Sequence, residues 1–425
     1  MGEVKSQFSY TTLGYVILLI SMFSVGTISS YFSSWNYTIV LLVLSSVLLL
    51  LINIRNIKLT NISLAWLIVV IICLFASINT MNFRDFTFYI FSGILVVVSF
   101  SVSAKSLYKC FPIIILGALV SALGIFIQFV FPSFYDKYIF RLFYGVYSEG
   151  IIRQYYRHRM YTGFTSEASI SAQFMVVGIA GIYSIYHRLT KYRKLAWIVG
   201  IVLFFGVVLT GKRSALLFSS ASLIYTFLVS SQKGKKSNRV LKIILLTIIA
   251  AIALYFFLPE FISQSSSRNS IVRIFEYLNE DRDLTNGRVA IWLNAIKAFN
   301  SSPILGKGWS WFAGEYGFGA HNIYLQLLCE CGILGGSIVI FILGWLYFKC
   351  HQCMKVAVAS DDSERFAISK FCFFTQTYIL MYGLTGNPIY NYSFFLWYAF
   401  SLCILSYLNV KNGTVRYSID RNGEV

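Results

Sequence analysis

Four short polar segments of this 425-residue chain carry side chains able to hold an anion or move a proton: Arg159-x3-Gly163-Phe164-Thr165-Ser166-Glu167, Thr210-Gly211-Lys212-Arg213-Ser214, Gly287-Arg288 with Trp292 one turn on, and His321-Asn322. Arg288 opens the stretch 289–299, whose apolar residues Val289, Ile291, Trp292, Ala295, Ile296 and Phe299 recur at helical spacing. An arginine at the start of a helix adds a planar fork of donors to the unpaired N–H groups there, and both suit a phosphate. The alternative is an ion pair with Glu280, Asp281 or Asp283. Lys212 and Arg213 stand between two apolar runs with only a tight turn to hold them. Ionised groups so near hydrocarbon are costly, which makes them candidates for function; the alternative is that both reach out to lipid phosphates. His321 begins an apolar run, where an imidazole can take a proton near neutral pH or serve structure. Glu167 adds a carboxylate, and Arg159 either a further phosphate contact or an ion pair with Glu167. Gly306-Lys307-Gly308, after Pro303, marks tight turns or close backbone approach. Segments this far apart build a single site when helices deliver their ends to one place.

Two near-matches to other chemistries are set aside. Gly206-x4-Gly211-Lys212 nearly spells a phosphate-binding glycine loop, but Arg213 stands where Ser or Thr would hold magnesium, and an apolar run precedes it instead of a strand. Cys350-His351-x-Cys353 has no second ligand pair nearby and reads as a helix end at a membrane surface. The eight cysteines fall mostly in apolar runs, where a thiol is a small buried hydrophobe, so no disulfide framework is expected.

The elements that must position these residues are membrane-spanning helices. Hydrophobic residues make up 57% of the chain and charged ones 12%, against about a quarter charged in ordinary soluble domains. Apolar runs of about 17–25 residues, enough to cross about 30 Å of hydrocarbon, recur along nearly all of it. They place spans at 12–31, 37–54, 60–79, 86–103, 110–132, 168–186, 195–211, 214–231, 240–258, 321–348, 367–385 and 389–408, about 12 transmembrane helices in an all-α polytopic membrane protein. The first run lacks a small-residue cleavage site and is followed at once by another, which predicts an uncleaved helix. Two polar stretches remain, 133–167 and 259–320, each beyond the usual connection length and so expected to be functional loops of a single membrane domain, 1–425.

The net charge of +18 would point to nucleic acid in a soluble protein, but here the basic residues sit between spans, so anionic lipid or a phosphorylated substrate is expected and nucleic acid is not. Arg55/Lys58, Lys105/Lys109, Arg188/Lys191/Arg193/Lys194, Lys233/Lys235/Lys236/Arg239 and Lys349/Lys355/Arg365 fall on alternate sides, which makes those loops and both termini cytoplasmic. Both long loops then face outward. The first is nonetheless basic, with Lys137, Arg141, Arg153, Arg157 and Arg159. Long loops escape the charge rule, and cations on that side suit an anionic substrate.

His321-Asn322-x9-Gly332-x3-Gly336 resembles the signature of the bacterial O-antigen ligase and Wzy-type polysaccharide polymerase superfamily. Thr210-Gly211-Lys212-Arg213-Ser214-Ala215-Leu216 resembles its small-x-Arg turn, and Gly287-Arg288 through Trp292 to Pro303-Ile304-Leu305-Gly306-Lys307-Gly308 resembles its outer-loop segment. Order and separation agree, and the motifs cover roughly residues 155–340. The resemblance implies an inverting glycosyltransferase of the GT-C class, independent of metal and cofactor, in the cytoplasmic (inner) membrane of a bacterium, with an extracytoplasmic site acting on glycans carried by undecaprenyl pyrophosphate. It implies catalytic roles for Arg213, Arg288 and His321. Beside them Glu167 is a candidate second base or sugar-positioning group, and Arg159, Lys212 and Asn322 are candidate substrate contacts. Expected partners are the lipid-linked glycan, the lipid bilayer and a chain-length regulator protein. Within the superfamily, ligases move finished glycan onto lipid A core, whereas polymerases join repeat units. Gly163-Phe164-Thr165-Ser166-Glu167-Ala168-Ser169 looks more like the polymerases' Gly-x-Phe-Ser-Glu-Pro-Ser stretch, with Ala168 in place of proline. The expectation is a polymerase of O-antigen or capsular polysaccharide; the alternatives are a ligase or a lipid-linked oligosaccharide transporter. A transporter should carry ionisable groups near mid-membrane and often internal repeats, and neither is clear in the sequence.

Overall fold

The computed structural model describes residues 2–27, 59–78, 104–143, 145–157, 160–231, 287–360 and 362–422, with isolated positions at 31, 42, 44, 45, 47, 48 and 51. The expected spans 37–54, 86–103 and 240–258 fall mostly or wholly outside those residues, as do Arg159, Glu280, Asp281, Asp283 and the stretch 259–286. The described chain is helical, with no strand among the described residues: α1 (Gly2–Gly26), α2 (Asn61–Ser77), α3 (Ala104–Lys109), α4 (Phe111–Val130), α5 (Gly145–Ile151), α6 (Ala168–Ile185), α7 (Arg193–Leu209), α8 (Arg213–Ser230), α9 (Arg288–Ser301), α10 (Trp311–Tyr316), α11 (Ile323–Ala359), α12 (Ser363–Tyr382) and α13 (Tyr392–Asn422). Short helical turns fill 132–142 and 152–157, so the first long loop is wound rather than extended. The amphipathic stretch of the second loop is α9, as its periodicity predicts.

Five stretches are long and apolar enough to cross a membrane, Leu107–Val130, Ala168–Arg188, Arg213–Ser230, Ile323–Ala359 and Tyr392–Val410, and Thr12–Gly26 and Asn61–Ser77 are shorter apolar helices. A helix satisfies its own backbone donors, which hydrocarbon demands, and so many such helices in one chain is the pattern of a polytopic membrane protein. The expected spans at 60–79, 110–132, 168–186, 195–211 and 214–231 coincide with α2, α4, α6, α7 and α8 to within a few residues. Two differ in instructive ways. α12 is less apolar than its neighbours because Ser369, Lys370, Thr375, Gln376 and Thr377 are buried among other helices, where polar groups need not meet lipid. α11 runs past the expected end at 348 to Ala359. Cys350, His351 and Cys353 therefore sit inside a helix, both thiols buried, and not at a helix end.

The chain divides into two compact units, one of Met1–Val25, Asn36–Ile113 and Thr285–Val425, the other of Gly26–Trp35 and Ile114–Leu284. In the first, aromatic rings join the helices: Trp66 of α2 lies 5.6 Å from both Phe395 and Tyr398 of α13, and Phe23 of α1 lies 5.2 Å from Trp397. Thr60 caps α2 by accepting from Ser63 N–H at 3.1 Å, and the same hydroxyl is 2.7 Å from Ser406 Oγ on α13. In the second unit small residues let backbones close in, since a Cβ at Gly178 of α6 would overlap Ala118 of α4. That is the usual device where packing, not exclusion of water, holds helices together.

Candidate functional site

In the unit holding α6 to α8, residues 210–212 turn α7 into α8, and Arg213 is the first residue of α8. Thr210 Oγ1 donates to Val207 O at 2.6 Å and accepts from Lys212 N–H at 3.3 Å. Gly211 takes φ +75°, left-handed backbone that glycine adopts without strain. The turn thereby fixes the direction in which the half-buried Lys212 and Arg213 leave the helix end. Gly206 lies inside α7, where a Cβ would overlap Met175 Sδ, so the partial glycine-loop motif is helix and not a phosphate cradle.

Tyr161 N–H donates to Leu209 O at 3.4 Å, which lays the segment carrying Glu167 beside that turn. The segment is tied on all sides. Gln128 Oε1, on α4, accepts from the N–H groups of Thr162 and Gly163, each at 2.8 Å. Gly163, at φ +60°, lies against the backbone of Ile125. Tyr135 donates to Gly163 O at 2.7 Å, Tyr31 to Phe164 O at 3.0 Å and Ser171 to Thr162 O at 2.6 Å. The Glu167 carboxylate is left exposed and takes one bond from Ser169 Oγ at 2.9 Å. Ala168 N–H donates to Gln154 Oε1 at 3.0 Å, a bond proline could not make. In the wound loop before it, Tyr156 donates to Asp136 at 2.6 Å, and burial together with that carboxylate holds the phenol above its ordinary range.

In the other unit Arg288 is the first residue of α9, after Gly287 at φ +79°. A cation at a helix N-terminus works against the helix dipole by about 0.3–1 kcal/mol, so an anion there would satisfy both. α9 buries Ala295 and Ala298 in a cluster with Phe312, Ala320 and Cys329, flanked by Ile291, Trp311, Tyr316 and Leu325. The helix that Arg288 opens is thus packed against the residue preceding His321.

His321 has φ +52°, and with Ser310 at φ +60° it is one of two non-glycine residues in left-handed backbone among the described residues. Such a conformation costs roughly 1–2 kcal/mol and persists only where surrounding bonds impose it. They do so here. Ala320 N–H donates to Gln326 Oε1 at 2.9 Å, and Ile323 N–H to Gly383 O at 2.9 Å. Asn322 Oδ1 caps α11 by accepting from Tyr324 and Leu325 N–H at 3.0 and 3.1 Å, and its Nδ2 donates to Leu384 O at 3.3 Å. Both polar ends of Asn322, the residue after His321, are engaged within the protein.

α11 is broken at Gly332, where φ is 65° and ψ is −174°. The return segment 303–308 takes up the freed groups: Lys307 and Gly308 N–H donate to Cys329 and Glu330 O at 3.0 and 2.9 Å, and Ile333 and Leu334 N–H donate to Pro303 and Ile304 O at 2.8 and 3.3 Å. The approach is too close for side chains, since a Cβ at Gly306 would overlap the Glu330 carbonyl and one at Gly332 the Ile304 carbonyl. A break in a helix of spanning length is tolerable only where protein replaces the lost bonds. The two glycine motifs are therefore one device.

Glu330, fully buried, accepts at Oε2 from Ser310 N–H at 2.8 Å and at Oε1 from Phe312 N–H at 3.1 Å and Gln326 Nε2 at 3.0 Å. Sequence reading singled out neither Glu330, Gln326 nor Gln128. The signal was available: a carboxylate and amides inside apolar spans must find partners within the protein, and Gln326 and Glu330 stand four apart on one helix face. Of the sequence candidates, the structure brings the Glu167 segment to the Lys212–Arg213 turn in one unit, and the Arg288 helix to the His321–Asn322 segment in the other.

Residues 198–340 match the protein family described as O-Antigen ligase. That match runs from α7 into α11 and takes in Lys212, Arg213, Arg288, His321, Asn322 and Glu330, but not Glu167. A curated protein of Acinetobacter baylyi named General O-oligosaccharyltransferase is 26% identical over 211 residues, which covers 45% of this chain and 36% of that protein. The chain thus aligns with little more than a third of that relative's length.

Proposed function

We propose, from the match of residues 198–340 to the O-Antigen ligase family and the likeness to an O-oligosaccharyltransferase, that this chain transfers a glycan from undecaprenyl pyrophosphate to an acceptor sugar on the outer face of a bacterial inner membrane. The observation that carries the reading is the family match itself, which spans both the Lys212–Arg213 turn and the tightly imposed His321. The anomeric C–O bond of the donor breaks, its electron pair leaving with the pyrophosphate. The acceptor hydroxyl oxygen forms the new C–O bond, and its proton passes to His321. Negative charge on the departing pyrophosphate grows toward the transition state, so guanidinium groups fixed in advance stabilise that state more than the ground state. Arg288 and Arg213 have this work, with Lys212 and Arg159 as further phosphate contacts and no metal needed. Attack from the opposite face, without a covalent intermediate, inverts the anomeric carbon. Glu167 is a second base or holds the acceptor sugar.

The preferred reaction is polymerisation of repeat units, on the likeness of the 163–169 stretch to polymerases, with a chain-length regulator as partner. Transfer of finished glycan to lipid A core is the second reading, favoured by the description of the matching family and by the Ala168 N–H bond that the polymerases' proline would abolish. The surface polysaccharide of a deletion strain, run on a gel, separates them. Core capped with a single repeat supports polymerase, and uncapped core with long free chains supports ligase. Donor lipid retained on the cytoplasmic face would instead mean transport, and an unchanged profile would overturn all three.

A further inference from the structure

We infer that Glu330 is a positioning residue for His321, through a buried relay that fixes both left-handed, non-glycine residues of the described chain. Its reach is unusual for a carboxylate inside an apolar helix. One oxygen accepts from Ser310 N–H, the first of the two strained positions. The other accepts from Gln326 Nε2, and Gln326 Oε1 in turn accepts from Ala320 N–H, immediately before His321, the second. Gln326 presents its amide both ways at once, donor toward Glu330 and acceptor toward Ala320, so the relay has a fixed polarity that only an acceptor at 330 maintains. Phe312 N–H also donates to Oε1, and Tyr390 adds a side-chain bond to the same carboxyl.

The surroundings leave the relay little freedom. The Glu330 backbone carbonyl is bound by Gly308 N–H, two residues before the Gly332 break, so the backbone that carries the carboxylate cannot move without moving the return segment. A Cβ at Gly319 would overlap Asn387 Nδ2 and lie 3.1 Å from Gln326 Oε1, so the approach to His321 is packed on that side as well. Left-handed non-glycine backbone imposed by a dedicated network is where functional strain is found. A proton acceptor held a fraction of an ångström out of line loses rate without losing affinity.

This inference rests on the role of His321 proposed above, and the test keeps the two apart. Glu330→Gln preserves shape but turns one acceptor into a donor facing an N–H, and Gln326→Leu cuts only the branch to Ala320. Full-length protein in lipid nanodiscs, supplied with lipid-linked glycan extracted from the source bacterium, is assayed for release of undecaprenyl pyrophosphate. Both variants should lose roughly 10–100-fold in kcat, with the donor KM and the binding of undecaprenyl pyrophosphate within about twofold of the parent. Ser310→Gly added to Glu330→Gln should restore part of the rate, because glycine takes φ +60° without help. Parental kcat in both single variants would overturn the inference. If Glu330→Gln does not fold, Gln326→Leu decides alone. If the parent itself releases no undecaprenyl pyrophosphate, the functional reading fails, and amide exchange decides the relay. The N–H groups of Ala320, Ser310 and Phe312 should exchange faster in Glu330→Gln, and unchanged protection there would sink it.

Discussion

Arg288 and His321 are assigned to different partners, so substitution should separate them. Arg288→Lys keeps a charge at the N-terminus of α9 but loses the planar fork, and a point charge cannot make two parallel bonds to phosphate oxygens. Turnover should fall by about 10²–10³-fold, the loss typical of one transition-state donor. His321→Asn should fail differently. Asparagine tolerates left-handed backbone, so the fold at φ +52° survives while the base is gone. Donor lipid should bind as in the parent while the rate drops by roughly 10²–10⁴-fold. Normal turnover in His321→Asn would make the histidine structural. Because arginines and not a metal carry the pyrophosphate in this scheme, activity should persist in chelator, and a strict requirement for magnesium would show a missing charge. The sequence disclosed these residues because charge and imidazole are rare beside apolar runs. Asn322 went unread as a cap although its partners, Tyr324 and Leu325 N–H, are local and an Asn before an apolar helix is a readable signal. Glu330 could be flagged as a carboxylate in an apolar span, but its partners, Ser310 and Phe312 N–H, are delivered by the fold from a separate segment, and no spacing rule encodes that.

The helices themselves were largely legible, since runs such as 110–132 and 168–186 have the length and composition of α4 and α6. What composition could not show is the break in α11. Gly306 reads as a tight turn or close backbone approach and Gly332 only as part of a signature inside a span, but they work as a pair, each removing a side chain so that the other segment's carbonyl can approach. Contact of backbone with backbone leaves no pattern in either segment alone. Gly332→Ala should therefore cost at least about 1–2 kcal/mol for left-handed alanine, and more as Ile304 is pushed away. Gly306→Ala should behave alike. Gly344→Ala lies on the same helix, where a Cβ meets nothing within 4 Å. It should be neutral or stabilising by up to about 1 kcal/mol. Thermal unfolding of the three purified variants checks this, and a Gly332→Ala protein as stable as Gly344→Ala would mean that the break does not persist in the membrane.

For the molecule as a whole, composition announces membrane residence, and the alternation of basic loops announces a direction. Lys191 lies in one of the loops expected in the cytoplasm, whereas Ser148 and Gly314 lie in the two long loops expected outside. A cysteine at each should report the direction, because the chain offers an unusually quiet background: all eight native cysteines are buried. Gly314 has open space around its missing side chain and Lys191 is exposed, so neither introduced thiol disturbs packing. In intact spheroplasts an impermeant thiol reagent should label Ser148→Cys and Gly314→Cys but label Lys191→Cys only after lysis. Labelling of Lys191→Cys alone would invert the orientation. It would also remove the chemistry from the face on which the proposed reaction needs it, since Lys212 and Arg213 at one end of α7 and the basic 188–194 stretch at the other lie a full helix apart. Labelling of Ser148→Cys without Gly314→Cys would place the two long loops on opposite faces. No single outer site could then use both Arg213 and Arg288, and the division of the pyrophosphate between two arginines would have to be given up.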